Sequence, residues 1–196
     1  MTQLALFDMP AAPMPSGWRY APDFLSADEE AALIGLMADL PLAAARYKSY
    51  TARRRVASYG GSFDYDANRL RPAQPLVEPL HGLRARVAQW MGVAPEKLAH
   101  VLVAEYPPGA PLGWHRDVPD FEDVVGVSLG SEAVLRFRPY PPVDPKRGDI
   151  VRVDVAPRSI YMMRGPARWD WQHSVAPGTG LRWSITFRTL ARRRAG

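Results

Sequence analysis

After residue 100 the chain changes period and falls into eight short strand candidates separated by glycine- and proline-rich turns. They cover 101–106, 114–117, 124–129, 133–138, 149–155, 159–163, 171–175 and 181–189. In 101–106 and 181–188 period-two alternation sends neighbouring side chains to opposite faces, the mark of a strand with one buried side. The pattern therefore suits an antiparallel double sheet, a jelly roll or double-stranded β-helix. No phosphate-loop or dinucleotide-binding glycine pattern interrupts it. Two helices are expected ahead of the strands. One runs over about 27–40, opened by a capping box of Ser26 and Glu29. The other runs over 75–91, with Leu76, Leu80, Leu83, Val87 and Trp90 as its apolar stripe and Gly92 as its stop. Pro79 fits this second helix only if it lies in the first turn. The expected fold class is mainly β with flanking helices.

A length of 196 residues suits one domain with a real core. The expected organisation is an N-terminal extension over 1–17, a single domain over 18–190 with its jelly-roll core at 100–189, and a basic tail over 191–196. The absence of cysteine excludes disulfides, thiol catalysis and cysteine-ligated metal centres. No apolar run is long enough for a membrane span and no signal-peptide pattern opens the chain, so the expectation is a cytoplasmic monomer. A formal charge of +5 and a pI near 9.7 favour a polyanionic partner.

Chemistry concentrates around Trp114-His115-Arg116-Asp117. If this piece is extended, His115 and Asp117 lie on one side, about 7 Å apart along the strand, and can chelate one ion. The alternative is a surface histidine paired with its acidic neighbour. Of the other histidines, His81 falls in a helical segment, His100 just ahead of a strand, and His173 in the aromatic, strand-like WDWQHSVAP. Two histidines and a carboxylate suit non-haem Fe(II), with positions left open for co-substrates, and also suit zinc. Near the C-terminus, alternation places Arg182, Ser184, Thr186 and Arg188 on one face and Trp183, Ile185 and Phe187 on the other. The first set forms either an anion-receiving wall or a solvated strand edge; the second reads as core.

The set His115-x-Asp117, His173 and Arg182-x5-Arg188 resembles the AlkB-type branch of the Fe(II)- and 2-oxoglutarate-dependent dioxygenases. The likeness runs from about residue 47 to 188 and includes ASYGGSFDY, Tyr106-Pro107-Pro108-Gly109, GVSLGSEAVLRFR, KRGDI and SIYMMRGPARWDWQHSV. It implies Fe(II) held by His115, Asp117 and His173, and 2-oxoglutarate as co-substrate. Arg182, helped by Tyr106, would clamp the distal carboxylate, and Arg188 would serve the proximal carboxylate and the ligand aspartate. Ser184 stands between the arginines where the family often has asparagine. Ala104 and Pro119 also depart from the family pattern, at positions that concern the co-substrate and the target base.

The segment YKSYTARRRVASYGGSFDYD is either an irregular hairpin or a lid, since arginines attract phosphates and aromatic rings stack on bases. The resemblance favours a substrate lid over about 46–70 using Arg53, Arg55, Tyr59, Phe63 or Tyr65. Arg168, near His173, is a further candidate for a phosphate or for an acidic lid residue. The implied activity is oxidative demethylation of N-alkylated bases in single-stranded or locally opened DNA, a DNA-repair reaction releasing formaldehyde, succinate and carbon dioxide. Two alternatives stand beside it: the same chemistry on RNA or a protein side chain, and a nucleic-acid-binding jelly roll without catalysis.

Overall fold

The structure, a computed structural model, describes residues 13–47, 50–64, 69–142 and 150–191. Tyr65, residues 192–194, residues 1–12 and residues 146–149 lie outside them. The expected capping box opens helix α1 (Ala27–Ala38): Ser26 Oγ accepts from the Glu29 amide at 3.1 Å, and Glu29 accepts from the Ser26 amide at 2.7 Å. Helix α2 (His81–Met91) stops at Gly92, whose φ of 73° closes the last turn in the left-handed conformation that glycine adopts without strain. The second helix is shorter than expected because Pro79 sits in a separate 3-10 turn, Glu78–Leu80, where its missing N–H costs nothing.

All eight expected strands are present. They are β6 (Leu98–Tyr106), β7 (Leu112–His115), β8 (Phe121–Gly130), β9 (Ala133–Pro139), β10 (Val151–Val155), β11 (Ser159–Met163), β12 (Trp171–Val175) and β13 (Arg182–Leu190). The major sheet contains the run β11-β8-β13-β6, and the minor sheet is β10-β9-β12-β7. Strand β1 (Trp18–Ala21) adds to one edge of the major sheet, and β3 (Tyr50–Tyr59) with β2 (Ala43–Tyr47) adds to the other. A small hairpin, β4 (Ser62–Asp64) and β5 (Arg69–Arg71), follows. This is the jelly-roll architecture, and every pairing in the two large sheets is antiparallel.

Alternation decides which side of each sheet becomes core. On β13, Trp183, Ile185 and Phe187 pack under the helices with Val103, Val125, Val127, Met37, Leu83 and Val87. Burial of each large side chain contributes about 1.5–3 kcal/mol. The opposite face of the same strand carries Arg182, Ser184, Thr186 and Arg188 into a cavity between the sheets. A second cluster, including Leu135, Phe137, Tyr161 and Met163, joins the two sheets beyond that cavity. Trp18 of β1 packs edge-on against Phe137 and stacks on Tyr161. Among the described residues no helix is long and apolar enough to cross a membrane.

Candidate active site

The cavity measures about 650 Å³, within the range of small-molecule sites of roughly 300–1,000 Å³. Pairing of β12 with β7 places His173 directly opposite His115, so two residues far apart in sequence bring their rings to 4.2 Å between centroids. Strand β7 ends at His115, and Asp117 lies in the loop beyond it rather than in an extended strand. Side-chain donors fix that loop. Arg188 donates from Nε and Nη2 to Asp117 Oδ1, both at 2.8 Å, while buried Arg168 donates to the carbonyls of Asp117, Val118 and Phe121 at 2.8–3.0 Å.

His115, Asp117 and His173 each offer a ligand atom, and these atoms all lie within 4.8 Å of one another. Asp117 Oδ2 is buried without a hydrogen-bond partner, 3.6 Å from His173 Nε2. A buried anionic oxygen in that condition calls for a cation. The contact between His115 Nδ1 and the Gly113 carbonyl, 2.8 Å, fixes Nδ1 as the protonated nitrogen and leaves Nε2 as the ligand. Burial disfavours charge on both histidines, and His173 is pushed down to about 3, so both are neutral donors at physiological pH. Burial opposes ionisation of Asp117, but the fixed charge of Arg188, with that of Arg168 behind it, overcomes it and holds the carboxyl well below its usual range. This donor set fits Fe(II).

Arg182 lines the same cavity. Its Nε donates to Ser128 Oγ at 3.1 Å, its guanidinium stands 5.1 Å from the Tyr106 ring centre, and its Nη2 is buried without a partner. Tyr161 lines the same cavity beside Arg182 and Ser184 and completes this polar end. The sequence reading missed Tyr161, although its neighbour across the sheet, Gly126, was a visible signal. A Cβ at Gly126 would run into the Tyr161 ring. Gly126→Ala should therefore displace the tyrosine and destabilise the fold by about 1–3 kcal/mol, read as a shift in the urea midpoint.

The cationic segment differs from expectation in parity. Tyr50–Tyr59 is a strand of the major sheet, paired with β6 and β2, so this part of the expected lid is cavity wall. Tyr59 is 1% exposed in the core under the helices and cannot stack on a base. Its side fixes the register. Arg53 also turns away from the cavity, to donate to the Pro108 and Gly109 carbonyls, and Arg55 forms a two-pronged pair with Glu105. The cavity instead receives Arg54, with Ala52, Val56 and Ser58 on the same side. Arg54 is buried, 5.9 Å from the Tyr106 ring centre, and Arg46 from β2 and Phe63 from β4 join it in the wall. Arg168 is likewise corrected: at 2% exposure it holds the Asp117 loop instead of facing a substrate.

His100 accounts for one end of Arg188. Its Nδ1 accepts from Arg188 Nη1 at 3.2 Å, which requires the neutral ring. Burial, reinforced by the Arg188 charge, pushes its pKa from 6.5 down to about 3. Since the unfolded chain binds the proton first, this contribution to stability is complete above pH 6.5 and is lost as pH falls from 6.5 toward 3. Between pH 7 and 5 the loss should reach roughly 2 kcal/mol. His100→Asn, which retains an acceptor but cannot titrate, should remove that share of the pH dependence, leaving the share of His115 and His173, when metal-free proteins are unfolded in urea across this range.

Similarity to known proteins follows the same outline. The chain is 29% identical over 171 residues to the Xenopus tropicalis tRNA (carboxymethyluridine(34)-5-O)-methyltransferase alkbh8, covering 84% of this chain and 26% of that protein. It is 28% identical over 176 residues to the Arabidopsis thaliana alkylated DNA repair protein ALKBH8 homolog, covering 79% of this chain and 49% of that protein. The chain thus spans about half or less of these relatives' lengths. The structure of OsALKBH1 superimposes with a TM-score of 0.69 at 16% identity, over 91% of this chain and 98% of that one, which shows a shared fold. The 2OG-Fe(II) oxygenase superfamily profile matches residues 17–188, a span that contains both sheets, the His115, Asp117 and His173 ligands and the two arginines of β13. A jelly roll that holds two neutral histidines against an ionised aspartate, beside an arginine-lined cavity, is the physical form of that match, and the chain belongs to the 2OG-Fe(II) oxygenase superfamily.

Proposed function

We propose that this enzyme oxidises a methyl group on a nucleobase in RNA. The supporting observation is its relatedness, at about 30% identity, to proteins named for tRNA modification in Xenopus, mouse and macaque. Those proteins are several times longer than the match, so the methyl transfer in their names is not carried over. The cavity wall supports a nucleotide substrate, with Arg46 and Arg54 as anion partners and Phe63 as a ring surface.

In this reading Arg182, Tyr106, Tyr161 and Ser184 hold 2-oxoglutarate, with the partnerless Arg182 Nη2 facing its distal carboxylate. Arg188 and Arg168 keep Asp117 oriented toward the two histidines, and Arg188 serves the proximal end of the co-substrate. The iron supplies dioxygen activation, which no side chain of this protein can replace. Overall, 2-oxoglutarate, dioxygen and the N-methyl base give succinate, carbon dioxide and an N-hydroxymethyl base. The latter then breaks its N–C bond to release formaldehyde and leave an N–H. The apolar wall of Leu102, Val124, Leu135 and Val175 limits water around the reacting methyl group.

Oligonucleotides carrying the same N-methylated bases in RNA and in DNA provide the test, with formaldehyde and succinate measured together. RNA turnover well above DNA turnover is expected. The reverse order would favour the DNA reading, which the name of the Arabidopsis relative supports. Succinate formation without formaldehyde from either polymer would overturn both.

A further inference from the structure

The outer face of the minor sheet carries a cluster of arginines that the active site does not use. On β9, Leu135 and Phe137 point inward, so Arg136 and Arg138 point outward. Arg152 of β10 lies directly opposite Arg136 in the register. Like charges in that position cost stability unless an anion relieves them.

Two of the three are held in place. Arg138 Nε donates to Gln172 Oε1 at 2.8 Å and Arg136 Nε to Ser174 Oγ at 2.9 Å, which orients both planar forks while leaving their terminal nitrogens without a described carboxylate. Both guanidiniums also stand over the Trp114 ring, at 5.2 and 4.5 Å from its centre. Among the described residues none of Arg116, Arg136, Arg138 and Arg152 forms an ion pair. Asp154, the nearest acid in the register, faces Val134, one row further along.

The surface is continuous with the cavity mouth. Trp114 and Arg116 belong to the cavity lining, and Arg116 lies 3.7 Å over the ring of exposed Tyr140, beside the outer face. We infer that Arg136, Arg138 and Arg152 bind the sugar-phosphate backbone of a single nucleic-acid strand whose modified base occupies the cavity. This rests on the nucleic-acid reading above and extends it from the base to the flanking strand. Fixed guanidinium forks suit phosphate oxygens, and contacts of this kind position a strand without reading its sequence.

The experiment compares wild type with R136Q/R138Q/R152Q and with the exposed single variant R152E, after thermal melting confirms that each is folded. The probes are a methylated 12-nucleotide single-stranded RNA, its DNA counterpart, and a methylated trinucleotide. The triple variant should bind the 12-mers at least tenfold more weakly at physiological salt. Its salt dependence should flatten by about two units, roughly 0.7 for each of three lost phosphate contacts. R152E should show a smaller loss in the same direction, and trinucleotide turnover and uncoupled succinate formation should be unchanged. Unaltered 12-mer affinity and salt slope in the folded variants would overturn the assignment of this surface while leaving the nucleic-acid reading intact. Equal losses for the trinucleotide would also overturn it. If wild type binds neither 12-mer, the nucleic-acid reading fails and the surface assignment fails with it.

Discussion

His173→Ala should abolish Fe(II)-dependent 2-oxoglutarate turnover while leaving a folded protein. His173 is the one ligand on β12, held opposite His115 by the sheet itself, and its ring is neutral, so deletion leaves no charge unpaired. Because the side chain faces the cavity, the stability cost should stay near about 1–3 kcal/mol, the low end for a core truncation. Iron affinity should fall by more than the 10–100-fold typical of losing a partner outside the coordination sphere, since a ligand itself is removed. Asp117→Ala should be worse for the fold. It removes the acceptor for two Arg188 donors and leaves that arginine buried without its anion, a cost of roughly 3–5 kcal/mol. Iron content by metal analysis, read beside a urea titration of each variant, separates lost coordination from lost structure.

Arg182→Ala should raise the 2-oxoglutarate requirement by about 2–5 kcal/mol, which is roughly 30-fold to several thousandfold in concentration. The guanidinium is 3% exposed, anchored through Nε to Ser128, and ends in a buried nitrogen without a partner. A dicarboxylate would satisfy that nitrogen, and an alanine would leave its carboxylate desolvated and unpaired. Arg182→Lys should recover only part of the loss, because an ammonium cannot donate to Ser128 and to a carboxylate with the same planar fork. A titration of succinate formation against 2-oxoglutarate decides this. An unchanged requirement in the alanine variant would reject the clamp.

The core strands were legible because the jelly roll writes its burial in period two. On β13, alternation separated Trp183, Ile185 and Phe187 from Arg182, Ser184, Thr186 and Arg188, and the structure divides them the same way. The ligands were legible as residue types, although the loop position of Asp117 was not, because its orientation depends on Arg168 and Arg188 from other elements. The arginine run at 53–55 shows where such reading stops. Three consecutive like residues carry no parity, so whether Arg54 or its neighbours face the cavity was set by Tyr59 entering the helix-covered core. That required knowing that the segment pairs with β6. Tyr161 was hidden for a related reason: in SIYMM every residue is buried, and such a strand presents no alternation to read.

The most direct test of the account is succinate formation from 2-oxoglutarate by wild type and His173→Ala, each loaded anaerobically with Fe(II) and then exposed to oxygen. The account predicts oxygen- and iron-dependent succinate from wild type and none above the metal-only background from the variant. Equal succinate from both proteins, with equal iron retained, would contradict the assignment of His115, Asp117 and His173 as the catalytic centre.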